Sequence, residues 1–173
     1  MKYILLISLL IALPALAGAQ TNTAKGEIDV FYKEYFGRMS KRLDTLGVQV
    51  TYSKSLSALI EKNGRLCKKY GDGPCGWGSD GNEYLGGAQE YEVGARYESY
   101  KYRSSEEQPG YVMVSFNVYP SVVDSDGYYV VEMTYHLIKE GGRWCIDDII
   151  YRKGSSARKS MEAEIASLLE SAQ

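Results

Sequence analysis

The chain has 173 residues, a formal net charge of −2, one histidine, three cysteines, and sixteen tyrosines against three phenylalanines. Nearly balanced charge argues against a strong nucleic-acid or anionic-membrane partner. One histidine and one close cysteine pair leave no tetrahedral zinc set, so neither a metal nor a cofactor is expected.

Lys2, an apolar run over 3–13, Pro14 and the small-x-small triplets Ala15-Leu16-Ala17 and Ala17-Gly18-Ala19 have the layout of a secretory signal peptide. An apolar run of roughly a dozen residues is short of the about twenty that a spanning helix needs. Residues 1–19 are therefore expected to be cleaved, against the alternative of an uncleaved tether. Residues 20–173 are then expected to form one soluble α+β domain without stable membrane insertion, periplasmic or secreted.

Ile28, Tyr32, Tyr35, Met39, Leu43 and Leu46 step by three or four and predict a helix that Gly47 ends. A second helix is predicted over 53–69, with Leu56, Leu59, Ile60 and Leu66 inward and Asn63-Gly64 weakening its middle. Seven glycines between Gly71 and Gly87, with Pro74 and Trp77, predict a long loop carrying an exposed Trp77. In an oxidising compartment Cys67 and Cys75 can close a small disulfide loop. That is one of three single pairings with Cys145, and the sequence does not choose among them.

Strands are predicted near 92–103, 110–119, 128–139 and 143–151, and a last helix over 156–169. A two-residue Gly141-Gly142 hairpin pairs Leu137 with Ile146 and Tyr135 with Asp148. Tyr129, Val131, Met133, Tyr135 and Leu137 then share an apolar face with Trp144, Ile146 and Ile150, and His136 opposes Asp147 on the other face.

This order, with the closing Trp144, Ile146, Asp147 and Asp148 and with Leu85-Gly86-Gly87-Ala88-Gln89-Glu90 before the sheet, resembles the nuclear-transport-factor-2-like superfamily. It looks closest to small exported bacterial domains of unknown function. The resemblance spans roughly 28–165; the Cys75 and Trp77 loop is more elaborate than it implies. It implies N-terminal helices packed on a bent antiparallel sheet, a cone with a pocket between them, and a C-terminal helix. Members include dehydratases, isomerases and hydrolases as well as binding modules, so fold constrains function weakly. Many relatives pair as dimers through the sheet, so the resemblance allows a homodimer here, although no residue demands it.

Asp148 on an apolar face opposite Tyr135 would be desolvated and could act as a general acid or base, with Tyr129, Tyr135 and Trp144 lining the pocket. The plainer reading is that Asp148 accepts local hydrogen bonds and fixes the fold. His136 and Asp147 have the residue types of a base with its orienting carboxylate, but neither Thr134 nor Cys145 is marked as a nucleophile, and an ion pair on the outer sheet suffices. Gly76-Trp77-Gly78-Ser79-Asp80-Gly81 fits G-x-G-x-x-G without the strand and helix a pyrophosphate site requires. Asp124-Ser125-Asp126-Gly127 lacks the further oxygens of a calcium loop and reads as a turn. The sequence thus points to an exported binding or interaction module for a small molecule or a protein, without catalytic activity. Its alternatives are a lyase, isomerase or hydrolase using Asp148, and a periplasmic immunity or inhibitor protein.

Overall fold

A computed structural model describes residues 23–71, 73–79, 81–123, 126–151 and 154–172. The expected signal segment, Asp80, and the Asp124-Ser125 half of the calcium-like motif lie outside the described residues. Three helices, α1 (Ala24–Ser40), α2 (Lys54–Tyr70) and α3 (Ala157–Ser171), accompany β1 (Arg103–Gln108), β2 (Tyr111–Asn117), β3 (Val130–Glu140) and β4 (Arg143–Tyr151). The strands form one antiparallel sheet in chain order, an α+β arrangement.

α1 starts where Thr23 Oγ1 accepts the Gly26 amide at 3.0 Å. Its predicted stripe is buried as far as Met39. The helix ends at Ser40, seven residues before Gly47. Arg42 takes the left-handed conformation (φ 56°), and the amides of Arg42 and Leu43 donate to the carbonyls of Met39 and Arg38. Those paired bonds close a Schellman motif, with an arginine where glycine is usual. Leu43 and Leu46 therefore leave the helix face and are 52% and 89% exposed.

α2 runs unbroken through Asn63-Gly64, with Leu56 and Asn63 fully buried. Tyr97–Tyr100 form a 3-10 turn where a strand is predicted. There Tyr100 stacks on Phe36 at 4.8 Å, and its hydroxyl donates to the Glu92 carbonyl at 3.0 Å. The outer strand is instead the polar Arg-Ser-Ser-Glu-Glu-Gln of β1, whose composition suits an exposed edge.

Gly141 and Gly142 both have positive φ (57° and 82°), as a two-residue hairpin of this kind requires. Pairing follows the predicted register from Glu140↔Arg143 to Leu137↔Ile146 and then slips by one residue, so His136 pairs with Asp148 and Tyr135 with Ile149. Asp147 is the extra residue of a β-bulge. The bulge returns Ile149, not Ile150, to the core face and removes Asp148 from its place opposite Tyr135. Ile149 is accordingly fully buried.

Between α1 and the sheet, aromatic rings pack against one another. The Tyr32 ring lies 5.4 Å from Phe36, 5.3 Å from Phe116 and 6.1 Å from Tyr135. Its hydroxyl donates to the Tyr84 carbonyl at 2.7 Å, which leaves Tyr135 as the donor in the 2.8 Å Tyr135–Tyr32 bond. Burial holds both phenols well above their ordinary value.

Asp29 fastens α1 to β1, accepting from Lys25 Nζ at 2.5 Å, Tyr102 at 2.8 Å and Ser104 at 2.5 Å. Burial opposes its charge, but those three donors together hold the carboxyl below its usual range. A folded-state value below the unfolded one stabilises the protein above the unfolded pKa of about 3.9, and that contribution disappears as pH falls through the folded value. In urea unfolding, Asp29→Asn should be less stable than wild type at pH 7, with the gap closing below about pH 3.9. A gap that persists unchanged in acid would contradict this role.

Candidate functional site

The bulge carboxylates are committed to helix ends. Asp148 Oδ1 accepts the Ile149 amide at 2.8 Å and the Arg158 amide, in the first turn of α3, at 3.0 Å. Asp147 Oδ1 accepts from Arg158 Nη2 at 2.8 Å and from the Ser53 hydroxyl at 2.6 Å. Ser53 caps α2, its Oγ accepting the Leu56 amide at 2.9 Å, and its own amide donates to the Ile146 carbonyl at 2.8 Å. One irregularity in β4 therefore ties down the starts of α2 and α3. Carboxylates suit both places because a helix start presents unpaired amides and the positive end of its dipole.

His136 and Asp147 do approach, but at 3.7 Å between Nδ1 and Oδ2, beyond hydrogen-bond reach. The imidazole stacks on Tyr111 at 4.5 Å. Cys145 is buried beneath this face and donates weakly to the Arg143 carbonyl, and burial pushes its thiol up, away from thiolate chemistry.

The four residues expected to line one pocket are not brought together. Tyr135 is fully buried among the rings. Trp144 borders a separate cavity of about 220 Å³ beside Glu27 and Val50, with Lys139 Nζ 4.9 Å over its ring. Tyr129 lies against Tyr119 and Tyr128 at 4.9 and 5.1 Å, and Asp148 is at the foot of α3.

Concave surface lies instead around the glycine-rich loop. Its first cleft, of about 770 Å³, runs between Thr45, Leu46 and Val48 on one side and Pro74, Gly78 and Ser79 on the other, over Tyr35 and Tyr84. The second, of about 490 Å³, lies between the loop and α3, lined by Trp77, Glu83, Tyr151, Ser160, Met161 and Glu164 among others. Gly78, Ser79, Gly81 and Glu83 line both. Among the described residues, Glu83 is the only charged side chain of the first cleft, and no lysine or arginine lines either.

Local chemistry holds this loop in shape. Cys67 and Cys75 form a disulfide that fastens its start to the last turn of α2. Glu164 accepts from Asn63 Nδ2 at 2.6 Å and from the Gly76 amide at 3.3 Å. Asn82 pairs with Ala88 in an isolated bridge and donates through Nδ2 to the Tyr35 hydroxyl at 2.6 Å. Close approach demands glycine at 81, where a Cβ would come within 2.3 Å of the Gly87 carbonyl oxygen. Trp77, predicted exposed, is half-buried and meets the Tyr52 ring edge-on at 6.5 Å. Tyr52 and Tyr84 hydrogen-bond through their hydroxyls. Burial, countered by that bond and reinforced by the Glu83 charge, pushes the Tyr84 phenol up to about 12.

No family model, curated protein or solved structure matches this chain.

Sequence reasoning missed Glu83, Asn63 and Glu164. Asn63 and Glu164 meet across 101 positions, and nothing local marks that contact. The bulge did leave a signal: Ile146-Asp147-Asp148-Ile149 breaks the two-residue alternation, which a regular strand with one buried face does not do. Replacing Asp148 by alanine removes a helix cap, so urea unfolding should show a loss of about 1 kcal/mol. Replacement by asparagine, which caps about as well, should cost less. Equal, large losses in both would contradict the capping role.

Proposed function

We propose that this chain is an exported binding module without catalytic activity, built on the nuclear-transport-factor-2-like cone, and that it binds through the glycine-rich loop rather than inside the cone. The N-terminal leader layout supports export, and helices against an antiparallel sheet support the superfamily. One observation carries the choice of surface: rings fill the middle of the interior between α1 and the sheet, leaving a cavity of about 220 Å³ at its Trp144 end, whereas the braced loop has a larger cleft on each side, of about 770 and 490 Å³. Brace and cavity together are what a preformed site needs, because little ordering remains to be lost on binding. The ligand is a small molecule or an exposed segment of a protein, and an immunity or inhibitor role belongs to the second case.

The chain has two tryptophans, Trp77 in the loop and Trp144 on β4 at the separate cavity beside α1. Trp144→Phe leaves Trp77 as sole reporter, and Trp77→Phe leaves Trp144. A compound or co-exported protein that raises the melting temperature should alter Trp77 emission in the first variant and leave Trp144 emission unchanged in the second. The reverse pattern would move the site away from the loop and overturn the proposal.

A further inference from the structure

The second cleft has a definite chemical character. Its aromatic surface comes from Trp77 and Tyr151, and its charge from the carboxylates of Glu83 and Glu164. Ser155 and Ser160 also line it. Beneath Gly76 sits a further acceptor. Asn63 Oδ1 is fully buried and has no hydrogen-bond partner among the described residues. Gly76 lines the cleft with φ 96°, and the Cβ it lacks would lie 3.7 Å from that oxygen. An unpaired buried acceptor normally costs free energy, about 1–3 kcal/mol, and this one places a negative partial charge behind the Gly76 wall of the cleft. Glu164 already accepts two protein donors, whereas the Glu83 carboxylate reaches into both clefts and packs within 2.9 Å of the position a Cβ on Gly78 would take. Excess acceptors, negative charge and an indole face together select against anions and favour a cation that has several N–H donors and an apolar stem.

Resting on the loop-site reading above, we infer that the cleft between Trp77 and α3 binds an organic cation, an alkylammonium or guanidinium group, held against Trp77 and Tyr151 with its charge toward Glu83. The group belongs either to a free amine or to a lysine or arginine side chain of a partner; the chemistry recognised is the same.

Calorimetric titration of the mature, disulfide-intact protein tests this with spermidine and agmatine as free cations, a lysine-rich hexapeptide as the side-chain source, glutarate as an anion and glucose as a neutral polyol. Spermidine or agmatine should bind, more weakly as salt rises. Glu83→Gln should weaken binding about tenfold, the order expected for one charge pair in a partly exposed site, with the melting temperature of the free protein little changed. Trp77→Phe should retain part of the affinity and Trp77→Ala lose more. If the peptide binds and the free amines do not, the cation is a partner's side chain and the inference stands. Glutarate or glucose binding that Glu83→Gln leaves intact would overturn the cation inference while leaving the loop as a binding site. Cation binding that neither Trp77→Ala nor Glu83→Gln affects would overturn both, and no heat from any cation at millimolar concentration would overturn the inference.

Discussion

One extra residue in β4 ties the starts of two helices to the sheet. An unbulged strand would carry Asp148 inward against Tyr135, where a carboxylate would lose its water without a cation to replace it. Inserting Asp147 lets the chain turn both carboxylates to the helix starts and restores an isoleucine to the core at 149. The Ser53 cap, the Asp147 carboxylate and the Arg158 guanidinium then form a continuous hydrogen-bonded clamp. Because α3 also supplies Ser160, Met161 and Glu164 to the second cleft, a backbone irregularity fixes one wall of the candidate site.

The other wall depends on a different device. A loop with this much glycine would ordinarily sample many conformations, since glycine gives up the most freedom on folding. Here the disulfide, the Glu164 contacts and the Asn82–Ala88 bridge supply restraint at three points. Glycine provides the close approaches and the cross-links provide the order. Tyrosine has a parallel double role: the rings fill the interior while their hydroxyls bond to one another and to backbone carbonyls. Phenylalanine in those places would fill the same space and leave the Tyr84 and Glu92 carbonyls without these partners.

Much of the framework was legible from periodicity alone. The stripe from Ile28 to Met39, the amphipathic second helix, the Gly-Gly hairpin and its first four pairs all follow from spacing and turn chemistry. What was not legible has physical causes. Helix α1 stops on an arginine in the left-handed region, a conformation that residue type gives no warning of. The edge strand is polar on both faces and shows no alternation, while the tyrosines before it mimic a strand but coil as a 3-10 turn. The pocket expected from Tyr129, Tyr135, Trp144 and Asp148 required a register that the bulge breaks. The clefts are made by residues far apart in sequence, so only the folded chain brings Trp77, Glu83, Tyr151 and Glu164 around one cavity.

Hydrogen exchange on Asp147→Ala, read peptide by peptide, tests most directly whether the bulge clamp holds the helices. Amides in the first turns of α2 and α3, residues 54–57 and 157–160, should lose protection together, while α1 and β2 keep theirs. Unchanged exchange at both helix starts, or a uniform loss across the sheet and α1, would contradict the clamp and the positioning of the cleft wall that depends on it.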